Sequence, residues 1–398
     1  MKRRLILGAA PLALLALAGC GSSSTSTGTP SPTGTNVNAA ATSSNAAATS
    51  STAAAAPSST AFLARLHAVS TIASTVPANG DVNPYGVVIV PGTTGKLRAG
   101  DLLVSNFNDK ANNQGTGTTI MQISPSGKRS LFSTISASAL PGSCPGGVGL
   151  TTALNVLPGG YVVVGSLPTT NGKSATAQLG CLIVVDSNGK AVSTISGPQI
   201  AGPWDMTAAT QGNVTNLFVS NALNGGAAKG VHTINNSTVL RIRVQSGPGQ
   251  PPKVLGEQVV ANRIPWRDDP DALVIGPTGV ALAKNGTLYL ADTLSNRIAA
   301  IPQALTRTTP APGGGTTVSR GGWLNQPLGL TLAPNGNILT ANAGNGNIVE
   351  TTPAGRQLRL RTADKKTGAG SLFGLVVNPA GTAVYFVDDG DNTLKLLH

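Results

Sequence analysis

The sequence predicts an all-β protein, a six-bladed β-propeller preceded by a lipoprotein-type signal peptide and a disordered linker. Three observations predict the propeller. A unit of about four short strands recurs six times, at the period of roughly 40 to 50 residues typical of blade arrays. The composition suits tight turns and close sheet packing, with 50 Gly, 27 Pro and only 11% charged residues, against a usual charged share of roughly 25%. The last unit is one strand short, and a lone strand before the first unit is available to complete it. The same composition excludes a coiled coil, a charge-rich disordered chain and a typical nucleic-acid-binding domain, since no run of like charge exceeds three residues.

Along the chain, Lys2, Arg3 and Arg4 form a positive start, followed by the apolar run Leu5 to Leu17. That run is shorter than the roughly 20 residues needed to span a bilayer and has the shape of a secretory signal. Leu17-Ala18-Gly19-Cys20 resembles the bacterial lipobox. The resemblance implies a signal peptide over 1–19, cleavage before Cys20 and attachment of lipid to its thiol, which anchors the mature chain in a membrane. Gly21 after the cysteine implies outer-membrane sorting if the source is Gram-negative. Residues 20–60 are almost wholly Ser, Thr, Ala, Gly, Pro and Asn without charge. Nothing there offsets the entropy of folding, so a flexible tether reaching on the order of 35 Å is expected. Loss of residues 1–19 lowers the formal charge from +12 to +9.

The propeller is expected over 61–398. Val69-Ser70-Thr71-Ile72-Ala73 is the lone strand, placed to become the outer strand of the sixth blade and remove its open edge. Blade 1 opens at Asn83-Pro84-Tyr85-Gly86 and continues through Leu102 to Asn106. Blade 2 runs from Gly149-Leu150 through Pro158-Gly159-Gly160 to Val164, and blade 3 from Gly202-Pro203-Trp204-Asp205 to Asn221. Blade 4 is the clearest: Gly276-Pro277-Thr278-Gly279-Val280, then Asn285-Gly286, Leu288 to Asp292, and Asn296-Arg297-Ile298. Blade 5 repeats it from Gln326 to Ile348, and blade 6 from Phe373 to Leu394. Asn-Gly and Gly-Gly pairs between the strands predict hairpin turns of type I′.

These units, the fourth above all, resemble the NHL-repeat propellers over roughly residues 66–398. That resemblance implies the fold and leaves the chemistry open, because such propellers include binding modules, lactonases and lyases.

Antiparallel strands within a blade place the entry loop and the loop between second and third strands on one face. That face carries three long loops, about Asn106 to Gly117, Ser166 to Gly180 and Asn221 to Ser237, and the entry segments with Trp204, Trp266 and Trp323. Long loops on a rigid scaffold are where binding usually resides, so a lopsided pocket is expected there. Alternatively, each Trp wedges between blades. The polar residues closing the second strands, Asn106, Asn221, Asp292, Asn342 and Asp388, with Ser166 nearby, form either a ligand ring or a set of turn caps.

Two acid clusters, Asp268/Asp269/Asp271 and Asp388/Asp389/Asp391, lack the spaced pattern of a calcium loop and read as solvated turns. The resemblance to gluconolactonases would imply a Glu, an Asn and an Asp around a metal, and that to virginiamycin-B lyases a His and a Glu. Only Glu257, Glu350, His67, His232 and His398 are available, and none falls into such a set. Cys144 and Cys181 share a blade and a face in an oxidising compartment, so a disulfide fastening the 166–180 loop is expected.

The function expected is a lipid-anchored, extracytoplasmic module that binds a ligand, an envelope protein or a glycan through the loop-bearing face. The alternative is a metal-dependent hydrolase or lyase at the channel mouth, with which a calcium or other divalent ion would go. Otherwise no cofactor or metal is expected, nor a nucleic-acid partner, and the chain is expected to be monomeric.

Overall fold

The computed structural model describes residues 60–223 and 232–398. The signal peptide, Cys20 and nearly all of the expected tether lie outside the described residues. Six sheets, antiparallel but for a short parallel pairing of Ala311–Pro312 with Ala261 and Asn262 in blade 3, form six blades. Their inner strands are Val82–Ile89, Leu150–Leu157, Gly202–Gln211, Pro277–Leu282, Pro327–Leu332 and Leu372–Val377, and each packs against the inner strands of the two flanking blades to close a ring. Several second and third strands, among them Leu288–Asp292 and Cys181–Val185, are buried at every position. They read as continuous apolar runs because a blade is covered on both faces. The outer strand Gln357–Thr362 is partly exposed throughout and mixes Leu with Arg.

Every inner strand carries a bulge at its entry. Pairing jumps from Pro84 to Val87, from Pro203 to Met206, from Pro277 to Val280, from Pro327 to Leu330 and from Leu372 to Leu375. In blade 2 the jump is longer, Leu150 to Leu154. A bulge bends the strand and re-aims its side chains. It also brings backbones of adjacent blades into contact: a Cβ at Gly329 would lie 2.0 Å from the Phe373 carbonyl oxygen, and one at Gly279 2.4 Å from that of Leu328. Only glycine fits there.

The predicted hairpin turns form, but not as type I′, which needs positive φ at both corners. At Asn285-Gly286 and Asn335-Gly336 only the glycine is left-handed, at φ 80° and 81°. A bond from the Gly286 amide to the Ala283 oxygen closes a four-residue turn, and the asparagine side chain caps it by accepting from the Thr287 amide. At blade 2, Pro158 and left-handed Gly159 occupy the two corners, as in a type II turn.

Closure follows the expected route. Val69–Ser74 pairs antiparallel with Thr393–Leu397, Val69 opposite Leu397, and becomes the outer strand of blade 6. Ahead of it, a short 3-10 helix, Phe62–Arg65, fills the wedge between blades 5 and 6 with Phe62, Leu63 and Leu66. The buried Glu350 carboxylate accepts the Phe62 and Leu63 amides at 2.9 and 2.8 Å. The Arg361 guanidinium donates to the Leu63, Ala64 and Leu66 oxygens at the other end. Opposite charges thus match the two ends of the helical turn.

Candidate functional site

The loop-bearing face is built unevenly. Blades 4 to 6 join their second and third strands through four residues each, 293–296, 343–346 and 389–392. Blades 1 and 2 use 109–118 and 167–180, and the blade 3 loop lies partly outside the described residues. The 109–118 loop is organised by Asp109, whose carboxylate accepts the Ala111 and Asn113 amides and the Asn113 side chain. The disulfide Cys144–Cys181 is present, with Cα atoms 5.1 Å apart. It ties the approach to blade 2 to the end of the 167–180 loop.

Blade 3 contributes a further cover. Its outer strand, Gln250–Asp269, runs past the blade edge and turns back through Leu273–Ile275, with Arg267 opposite Ile275. Leu273 and Val274 are buried in the central apolar cluster, and the Gln114 side chain of blade 1 donates to the Asp271 oxygen at 2.9 Å. This hairpin lies over the blade 1 to 3 side of the axis. Under it, the bulged entries of three blades stack aromatic rings. Tyr85 lies 4.0 Å from Phe373, 4.4 Å from Phe107 and 5.5 Å from Trp204, centroid to centroid, all near parallel. Burial raises the Tyr85 phenol well above its ordinary pKa. A cavity of about 30 Å³ remains between the rings, Val274 and Ile275 of the hairpin, and Gln326, Leu328 and Ala343 of blade 5.

The tryptophans separate. Trp204 lies on the inner strand rather than in an entry loop and is 4% exposed within the aromatic stack. Trp266 is fully buried in the long outer strand, because that strand continues where an entry loop was expected; its indole donates to Asn236. Trp323 alone is on an exposed entry segment, at 46%, and its carbonyl accepts from Asn342.

The ring of polar residues is buried inside the blades. Asn221 accepts the Ala201 and Gly202 amides, Asn106 donates to Thr75 and Thr119, and Ser166 bridges Gly147 and Gly149. Where the ring residue is Asp, a cation reaches it: Arg297 to Asp292 at 2.9 Å, Lys395 to Asp388 at 2.6 Å. Lys395 also pairs with Asp391 at 2.8 Å. Burial first, then Asp388, pushes Asp389 up to about 7. In the other acid cluster, Asp269 accepts the Asp271 and Ala272 amides and caps the hairpin turn.

The acids and histidines do not converge. Glu257, His67, His232 and His398 are exposed, and Glu350 holds the N-terminal helix. Among the described residues no three His, Cys, Asp or Glu side chains are placed to hold a metal, so the residues at the channel mouth do not fit the metal set that the lactonase resemblance implied.

One acid stands apart and was missed in the sequence. Asp205, on the inner strand of blade 3, is buried beside the axis, where its Oδ2 accepts the Val280 amide of blade 4 at 3.0 Å. Burial, only partly countered by backbone amides, pushes it up to about 7. The signal was in the repeat: Pro203-Trp204-Asp205 stands where other blades have Pro84-Tyr85-Gly86 and Pro277-Thr278-Gly279.

No family model matches the chain, and no curated protein sequence does. Solved structures do. A gluconolactonase from Xanthomonas campestris is 14% identical with a TM-score of 0.51, over 84% of this chain and 91% of that one. A luciferin-regenerating enzyme is 11% identical with a TM-score of 0.50, over 83% and 94%. The virginiamycin B lyase of Staphylococcus aureus reaches 13% and 0.47, over 83% and 99%. The first two likenesses agree with a six-bladed propeller. At such identity they show the fold and nothing finer.

Proposed function

We propose that this chain is a lipid-anchored extracytoplasmic binding module that takes the flat apolar face of a ligand, an aromatic group or a sugar ring, at the mouth of its propeller. One observation carries the reading: the aromatic stack at the axis is covered by the 267–275 hairpin on one side and edged on the other by Gln326, Leu328 and Ala343. Stacked rings offer a flat surface at little entropic cost. Tyr85, Trp204 and Phe373 are buried, so a ligand enters by widening the cavity of about 30 Å³ at its Gln326, Leu328 and Ala343 edge. Trp323, exposed on the blade 5 entry segment with its amide held by Gln357 of the outer strand, stands apart from this stack. Metal-dependent hydrolysis or elimination has less support, since the mouth is apolar where that chemistry needs converging acids or histidines. The anchor rests on the charged start, the apolar run and Cys20.

Calorimetric titration with a planar aromatic probe, anilinonaphthalene sulfonate, and with a soluble peptidoglycan disaccharide tests the site. Binding is expected to fall at least tenfold in Ala343→Trp, which fills the open side. Equal binding in both proteins would remove the mouth from consideration. Incorporation of labelled palmitate, lost in Cys20→Ser, tests the anchor separately.

A further inference from the structure

Past the aromatic floor, the axis holds a second cavity of about 130 Å³, roomy enough for several water molecules. All six inner strands line it. Val87, Leu154, Met206, Val280, Leu330 and Leu375 give it apolar corners, and Asp205 is the single ionisable residue among those lining it. Around the ring the position of Asp205 is Gly86, Gly279, Gly329 and Gly374 in four other blades. Where Gly279 and Gly329 set bare backbone against the next blade, Asp205 inserts a carboxylate. No Lys, Arg or His lines the cavity. A buried charge without a counter-charge is costly. Thr152, 4% exposed and lining the same cavity, has a hydroxyl without a hydrogen-bond partner. A carboxylate without a counter-charge, an unpartnered hydroxyl oxygen and space for a partial hydration shell therefore occur together on the axis.

We propose that the central channel binds one monovalent cation, an alkali-metal or ammonium ion, with Asp205 as its charged ligand. The charge class follows from the donor set. Hard divalent ions draw six to eight oxygens, usually several of them carboxylates; here one carboxylate balances one positive charge. The ion fixes the ionised form of Asp205, which in turn holds the Val280 amide and so joins blade 3 to blade 4. The site is separate from the ligand-binding mouth proposed above and does not depend on it.

Thermal unfolding at pH 8 in potassium, sodium or ammonium chloride, against tetramethylammonium chloride at equal ionic strength, tests this. At least one small cation is expected to raise the midpoint saturably by several degrees, with the apparent affinity weakened at least tenfold in Asp205→Asn and less in Thr152→Val. A thallium soak of crystals should place an anomalous peak within the cavity. Midpoints that coincide in all four salts would overturn the proposal. So would an undiminished shift in Asp205→Asn, or a stronger saturable response to calcium. If Asp205→Asn fails to fold, the wild-type salt series, the thallium position and Thr152→Val still decide.

Discussion

Asp205 shows how one substitution in a repeat changes what a scaffold can hold. Four blades leave the axis bare with glycine, and blade 2, the one remaining besides blade 3, takes a longer bulge instead. A carboxyl group pushed to about 7 has a defined effect on stability. Because its folded pKa is raised, the native state keeps the proton after the unfolded chain has lost it. Its contribution is therefore complete below the unfolded value near 4 and is lost as pH rises to about 7. In tetramethylammonium buffers the urea midpoint should fall over that range, by on the order of a few kcal/mol in stability. Asp205→Asn should show a shallower fall. Asp389, raised to about 7 as well, keeps part of the slope in the variant. Asp109 and Asp364, both lowered by hydrogen bonds, act in the opposite direction near pH 4 in both proteins. Equal slopes in wild type and variant would show that Asp205 is not the titrating group. The polar ring makes a related point: Asp occurs opposite Arg297 or near Lys395, and Asn221 and Asn106 occur beside Thr238 and Thr119.

Individual elements differ in how readily the sequence reveals them. Strands such as Leu288 to Asp292 declare themselves because burial on both faces makes them continuously apolar. The Arg267–Ile275 hairpin does not: its three acids read as a solvated turn, and the burial of Leu273 and Val274 depends on rings supplied by blades 1, 3 and 6. The aromatic floor was illegible for the same reason, since Tyr85, Trp204 and Phe373 meet only when the ring closes. The helix Phe62–Arg65 was also hidden, because its partners Glu350 and Arg361 lie almost 300 residues away. Glu350 accepts four donors, the Phe62 and Leu63 amides and the side chains of Asn335 and Asn337. Glu350→Gln turns an NH2 group toward them and should cost about 2–3 kcal/mol in chemical denaturation; an unchanged midpoint would show the clamp to be dispensable. The disulfide was legible from the two cysteines of one blade and the oxidising compartment that the N-terminal sequence led one to expect. With its cysteines 37 residues apart, chain-entropy reasoning gives a stabilisation of about 3–4 kcal/mol. Unfolding with and without reductant should reveal that difference, and coincident curves would refute it.

For the whole molecule, the decisive device is closure, which the repeat arithmetic exposed: six units, the last one strand short. A propeller left open presents Thr393–Leu397 as an unpaired edge, the kind of surface that recruits strands from other molecules. The segment that prevents this does two jobs. Val69–Ser74 completes the blade 6 ladder, and Phe62, Leu63 and Leu66 fill the wedge between blades 5 and 6. Each such buried side chain contributes roughly 1.5–3 kcal/mol, so the apolar part alone amounts to several kcal/mol before the hydrogen bonds from Glu350 and Arg361. Removal of the first 76 residues should therefore lower the unfolding midpoint, broaden the transition and produce concentration-dependent oligomers on gel filtration. A synthetic peptide of residues 60–76, supplied in excess, should pair with the open edge in the manner of strand addition. It should return the truncated protein to a monomer with a raised midpoint, and a peptide carrying Leu63→Asp should not. A truncated protein that stays monomeric with the full-length midpoint would mean that the ring is held shut by the inner strands alone, through the glycine-mediated contacts between blades.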